Sequence, residues 1–350
     1  MLITFFIGNG FDLNNEMKTK FTDFYDHIKS TRSKDYIEKN FIYTAAEEDR
    51  DKWSYFELQL GKLTFEHNNK TKNKLLNDID DFRDDFIDYM TNQNRLFSFD
   101  KIKAKQTLIK TLTQYRNHLN EEEREDIANI YNRLPSDIMF NFINFNYTDT
   151  LEQVVNLFEK GTPFSKITMN NMLYGGYLRE VIPIHKQLQT GMFLGVNDET
   201  QLNSKIFSEI ERRSLIKPLS NEGFRDNTNK NVENLIDKSH IVIIYGMSLG
   251  ETDKKWWIYL GKWLKKDSNN RLIIYIYDVN FSKINPRKYF EKRKEYEDRF
   301  IGFSHDLSDL NNKKVQEEIG ILRKRIYLIP NATEDFKFSL PTKSVVELTN

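Results

Sequence analysis

Two polar clusters stand where apolar runs end, and their residue types suit acid–base and hydrogen-bonding chemistry. The run 138–143 leads into Asn144-Phe145-Asn146-Tyr147-Thr148-Asp149-Thr150-Leu151-Glu152, and the short segment Ile182-Pro183-Ile184 ends in His185. Asn144 and Asn146 can orient a water or a hydroxyl. Asp149 adds a carboxylate to this polar group, and His185 can exchange a proton near neutral pH. Ligands of open α/β sheets bind outside the carboxyl ends of the strands. The same residues also make an ordinary cap and turn, so on the residues alone both readings stay open. The other histidines lack this setting: His27, His67 and His118 lie in charged helical stretches, His240 at the front of a strand and His305 in a polar loop.

Two glycine-bearing loops share the placement. The apolar run 2–7 meets Gly8-Asn9-Gly10-Phe11-Asp12-Leu13, and the run 240–245 meets Gly246-Met247-Ser248-Leu249-Gly250-Glu251-Thr252-Asp253. Gly8 and Gly10 would let a phosphate approach the backbone at a helix N-terminus. Leu13 stands where G-x-G-x-x-G has its third glycine, and Asp12 would sit beside the phosphate, so the motif does not separate a phosphate loop from a plain turn. Thr252 or Asp253 would cap a helix whose Trp256, Trp257, Leu260, Trp263 and Leu264 read as core. Glu57 shares a helical face with Trp53, Phe56, Leu60 and Leu63 and either meets water or faces a pocket.

The elements that position these residues follow from periodicity. Residues 18–67, 74–90 and 102–134 carry helical spacing. In 74–90 the stripe Leu75, Leu76, Ile79, Phe82, Phe86, Ile87 and Met90 is covered by six aspartates, which read as a solvated face. From residue 135 onward strands alternate with helices: 138–143, 182–185, 240–245, 272–277 and 325–329 are strands, and 286–299 and 311–323 are charged helices. The fold class is α/β, a Rossmann-like parallel sheet with helices on both faces and a large helical insertion after the first strand. The expected domains are 1–13 with 135–335, an insertion 14–134, and a polar tail 336–350.

Composition narrows the function. Lys plus Arg and Asp plus Glu balance at 52 each, which argues against nucleic acid as the default partner. There is no cysteine, which excludes disulfides, thiolate metal sites and a cysteine nucleophile. No apolar run reaches the roughly 18 residues that span a bilayer, and the N-terminus lacks the basic region and cleavage site of a signal peptide. The expectation is a cytoplasmic protein with no membrane partner.

In order, the set Gly8-Asn9-Gly10-Phe11-Asp12-Leu13, Trp53 with Phe56-Glu57, 144–152, Ile184-His185 and 245–253 resembles the bacteriophage abortive-infection AbiH family over nearly the whole chain. That resemblance implies a bacterial anti-phage defence protein. A more distant resemblance, to sirtuin-like NAD-consuming domains, rests on Gly8-Asn9-Gly10, Asn146-Tyr147 with Asp149, His185, and Gly246 with Ser248. The departures are Asp12 for a serine, Thr148 inserted before Asp149, and Lys186 for a glycine. It implies NAD as substrate or ligand, with Asn146, His185 and Asp149 as catalytic residues. Gly8, Asn9, Gly10, Asp12, Tyr147, Gly246, Ser248 and Asp253 would bind the nucleotide. No metal is expected.

Three functions stay open at this point. The first is an NAD+ glycohydrolase that depletes the infected cell. The second is a nucleotide-sensing module without turnover, acting through the 14–134 helices. The third is a metal-dependent nuclease using Asp12, Glu57, Asp149 and Asp253. A phage-derived trigger and a homo-oligomer fit any of them.

Overall fold

The computed structural model describes the chain except residues 51, 170, 186–193, 197–198, 225–226, 306–311, 332–337, 339 and 341–350. Lys186 and Gly191 therefore lie outside the described residues. Seven strands form one sheet: β1 Leu2–Ile7, β2 Ile138–Asn144, β3 Ser165–Met169, β4 Met172–Pro183, β5 Ile241–Tyr245, β6 Arg271–Ile276 and β7 Ile326–Pro330. Their order is β3-β4-β2-β1-β5-β6-β7, and every pair is parallel except β3 with β4. Without the β3 hairpin strand, the parallel strands run 3-2-1-4-5-6, the Rossmann order.

β1 holds the centre because Ile3 to Ile7 are all buried, as a strand covered on both faces requires. On one face Phe5, Ile7, Phe140 and Phe142 pack against the helices Lys101–Gln114, Glu121–Arg133 and Thr150–Val155. On the other Phe6, Ile143, Ile244 and Ile274 pack against Thr228–Lys238, Lys254–Lys266, Pro286–Gly302 and Lys313–Arg323. Trp257 and Trp263 are buried in that second core, as their spacing implies.

The helices of 14–134 divide between two packing units. Those between residues 101 and 133 cover the sheet. Those between 21 and 96 build a separate aromatic core from Phe24, Phe56, Phe82 and Phe86, which Leu194, Val196, Leu215 and Ile216 complete from more than 100 residues further along the chain. This cap therefore draws on two distant parts of the chain. The acidic face of Lys72–Leu96 is not wholly solvated. Asp78 accepts from Phe41 N at 2.8 Å and pairs with Lys74, while Asp85 accepts from Tyr36 Oη at 2.9 Å and Tyr43 Oη at 2.7 Å.

Two further differences from the sequence reading stand out. β4 runs for 12 residues, Met172–Pro183, where only 182–185 reads as a strand, because Gly175, Gly176, Arg179 and Glu180 break its apolar pattern. Within 336–350, read as a polar tail, the described Phe338 and Leu340 are both buried. Phe338 meets Phe11 edge-on at 5.1 Å, and Asn15 Nδ2 donates to Phe338 O at 3.3 Å.

Candidate functional site

Chain order reverses between β1 and β5, which places the ligand crevice of a doubly wound sheet at their carboxyl ends. A cavity of about 500 Å³ opens there, between the sheet edge and the cap. The sheet side supplies Gly8, Asn9, Phe145, Asn146, Tyr147, His185, Gly246, Met247, Ser248, Thr252 and Asp253. The cap side supplies Thr19, Lys20, Phe21, Thr22, Tyr55, Phe56, Glu57, Phe86 and Met90. Its size lies within the range of small-molecule sites, roughly 300–1,000 Å³.

The two glycine loops close on each other at the cavity floor. Gly8 N donates to Tyr245 O at 2.9 Å and Gly10 N to Gly246 O at 2.8 Å. A Cβ on Gly10 would stand 2.5 Å from Gly246 Cα, and one on Gly8 would stand 2.4 Å from Met247 Cγ. These glycines are small so that two backbones can touch. The helix after them spans only Gly10–Asn14, and Asn9 bonds with Thr19, whose hydroxyl donates to Asn9 Oδ1 at 2.6 Å.

Asn146 follows β2 and is 5% exposed. Its backbone N–H donates to Asn144 Oδ1 at 3.0 Å, which fixes the loop. Both atoms of its side-chain amide are buried without a hydrogen-bond partner among the described residues. A buried amide with every bond unmade costs stability unless a ligand or water completes it. Asn144 itself is structural, since its Nδ2 donates to Glu152 Oε2 at 2.9 Å and to Thr148 O at 3.3 Å.

His185 stands just past β4, with its ring stacked on Tyr147 at 5.0 Å between centroids and Phe145 edge-on at 6.2 Å. Burial, with the Lys217 charge as a lesser cause, holds His185 well below its ordinary value, so the imidazole is neutral. Tyr147 Oη donates to Glu57 Oε1 at 3.4 Å, and Lys217 forms a nearly buried ion pair with the same carboxylate. Asp253 precedes the Lys254–Lys266 helix but makes no side-chain capping bond there. Burial pushes its carboxyl up to about 7; Lys217 opposes the shift and Glu57 adds to it.

Of the residues singled out in the sequence, Gly8, Asn9, Asn146, Tyr147, His185, Gly246, Ser248 and Asp253 meet around the cavity, and so does Glu57. Gly10 lies beneath it. Asp12 and Asp149 do not line it. Asp149 accepts from Gln153 Nε2 at 2.7 Å beside the Thr150–Val155 helix, and Asp12 is fully buried, accepting from Thr148 Oγ1 at 2.7 Å. The four carboxylates of the nuclease reading therefore do not converge: Glu57 and Asp253 share the cavity, and the other two stand outside. Among the described residues no group of three or more His, Asp or Glu is arranged as a metal site. Sequence reasoning missed Lys217, Lys20 and the aromatic wall, since only the cap's packing brings them here.

Asp12 gives a pH-dependent prediction. Burial raises its carboxyl to about 7, with the Thr148 bond opposing and Glu152 and Asp149 adding. The folded state holds this proton where the unfolded chain has released it. Its contribution to stability is thus complete below about pH 4 and is lost as pH rises through about 7. Asp12→Asn, a mimic of the protonated form, is expected to raise stability at pH 8 by about 4 kcal/mol and to leave it nearly unchanged at pH 4. Urea unfolding at the two pH values checks this; an equal effect at both contradicts it.

No helix among the described residues is long and apolar enough to cross a membrane. No curated protein matches the chain. The profile of the family described as Bacteriophage abortive infection AbiH matches residues 4–276, from β1 to the end of β6 and across every residue that lines the cavity, and the chain belongs to this family.

Proposed function

We propose that this AbiH protein binds a nucleotide in the cavity at the switch point and hydrolyses NAD+ at its N-glycosidic bond, depleting the infected cell. One observation carries the reading. The neutral imidazole of His185 and the Asn146 amide, unpartnered among the described residues, belong to residues that line the same cavity, at the sheet edge where nucleotides bind.

The chemistry needs little acid. The bond from ribose C1′ to the pyridinium nitrogen breaks, and its electron pair neutralises the ring, so nicotinamide leaves uncharged. An oxocarbenium-like centre remains, as in glycoside hydrolysis. A water oxygen bonds to C1′, and the unprotonated His185 takes the proton that this water loses. Asn146 holds that water or a ribose hydroxyl through its unpartnered amide. Ser248 and the Gly246 loop border the sugar, and Asn9 and Lys20 border the phosphates. The cap over the sheet edge keeps bulk water away from the reacting centre.

The test is NAD+ consumption by purified protein. His185→Ala and Asn146→Ala are each expected to slow it by about 10²-fold or more while the fold persists. Either variant turning over like the unsubstituted chain overturns the assignment. Folded protein that binds NAD+ and leaves it intact would instead be a nucleotide sensor.

A further inference from the structure

The charges around the cavity are not evenly spread. Lys20 is exposed at the mouth, and among the described residues no carboxylate pairs with it. Glu57, 8% exposed, and the half-buried Asp253 also line the cavity. The Glu57 charge is shared with Lys217 and the Tyr147 hydroxyl, whereas Asp253 has no ion pair among the described residues and no capping bond. The same cavity is lined by aromatic side chains that pack on one another. Phe21 stacks on Phe56 and on Phe86, each at 5.1 Å, Phe86 meets Tyr147 edge-on at 5.4 Å, and Tyr147 stacks on His185. Carboxylates with aromatic faces make a site for a flat organic cation, and a lone lysine at the rim suits a phosphate.

We infer that the cavity is polarised for a nucleotide whose base is cationic, with the positive ring held inward between the aromatic wall and Asp253 and the phosphate held outward at Lys20. This rests on the nucleotide reading given above and adds to it the charge state and orientation of the ligand. The favoured ligands are N-glycosides of a pyridinium-type ring. Reduction of the ring removes the charge and with it the contact to Asp253, while the phosphate contact stays. Asp253 is thus a specificity-determining residue: it discriminates between oxidised and reduced rings of nearly the same shape.

The experiment measures, by calorimetry, the affinity of the full chain for nicotinamide mononucleotide and for its reduced form, which has the same phosphate and a neutral ring. The unsubstituted chain is expected to bind the oxidised form about tenfold more tightly. Asp253→Asn is expected to abolish that preference by weakening the oxidised form alone, and its unchanged affinity for the reduced form doubles as the check that it is folded. Lys20→Ala is expected to weaken both forms to a similar extent. Equal affinity of the unsubstituted chain for the two forms, or a preference that survives in Asp253→Asn, overturns the charge assignment and leaves the nucleotide reading standing. Binding of neither form overturns the nucleotide reading itself.

Discussion

Gly246→Ala is expected to cost about 3 kcal/mol of stability. Gly246 has φ of +70°, a region where a Cβ is strained by roughly 1–2 kcal/mol. The new methyl would also stand 2.7 Å from Phe11 N and 3.0 Å from Gly10 Cα, where only backbone can yield, and such overpacking costs about 1–3 kcal/mol. Gly161 separates the two causes. It has φ of +80° but nothing within 4 Å of its absent Cβ, so Gly161→Ala should show the strain alone, about 1 kcal/mol. Denaturant midpoints of both variants give the measurement. Equal losses at the two positions would mean that the contact between the glycine loops carries no weight.

Phe82→Ala is expected to do more. Phe82 is fully buried in the cap, stacked on Phe56 at 4.4 Å with the rings 2° from parallel, and packed on Phe24 at 5.2 Å. Removing such a ring costs about 3–5 kcal/mol. Phe56 and Glu57 are adjacent, and both line the cavity, so a hole behind Phe56 loosens the wall that holds the Glu57 carboxylate. Loss of nucleotide binding should accompany the loss of stability. Leu108→Ala, in the core on one face of the sheet, is the comparison: it should cost about 2–5 kcal/mol and leave binding nearly intact. If the two variants lose binding equally, the cap has no special part in the site.

The sequence makes the central sheet readable because its signals are local. Strands buried on both faces leave continuous apolar runs such as 2–7 and 240–245, and the amphipathic stripe of 74–90 marks its helix. The positions of Asn146 and His185 were readable for the same reason, since each stands two residues past a strand. The direction in which a side chain points was not. Asn144 ends β2 and Asn146 and Asp149 follow closely, yet Asn144 ties down Glu152, Asp149 turns to Gln153 and only Asn146 lines the cavity. The glycines were legible as a demand for close approach, but the approaching group is the other glycine loop, a partner more than 230 residues away in sequence. Glu57 and Lys217 are separated by 160 residues, and no periodicity links them. Their pairing follows from the cap core, which joins residues 21–96 to 194–219 through long-range apolar contacts.

The most direct measurement is the identity of the products formed from NAD+ by the purified full chain. The expected result is nicotinamide and ADP-ribose in equal amounts, both lost together in His185→Ala and Asn146→Ala. Formation of nicotinamide mononucleotide and AMP, which marks cleavage at the pyrophosphate, would contradict the assignment of the reacting bond, and NAD+ left whole by folded protein would contradict the assignment of an enzyme.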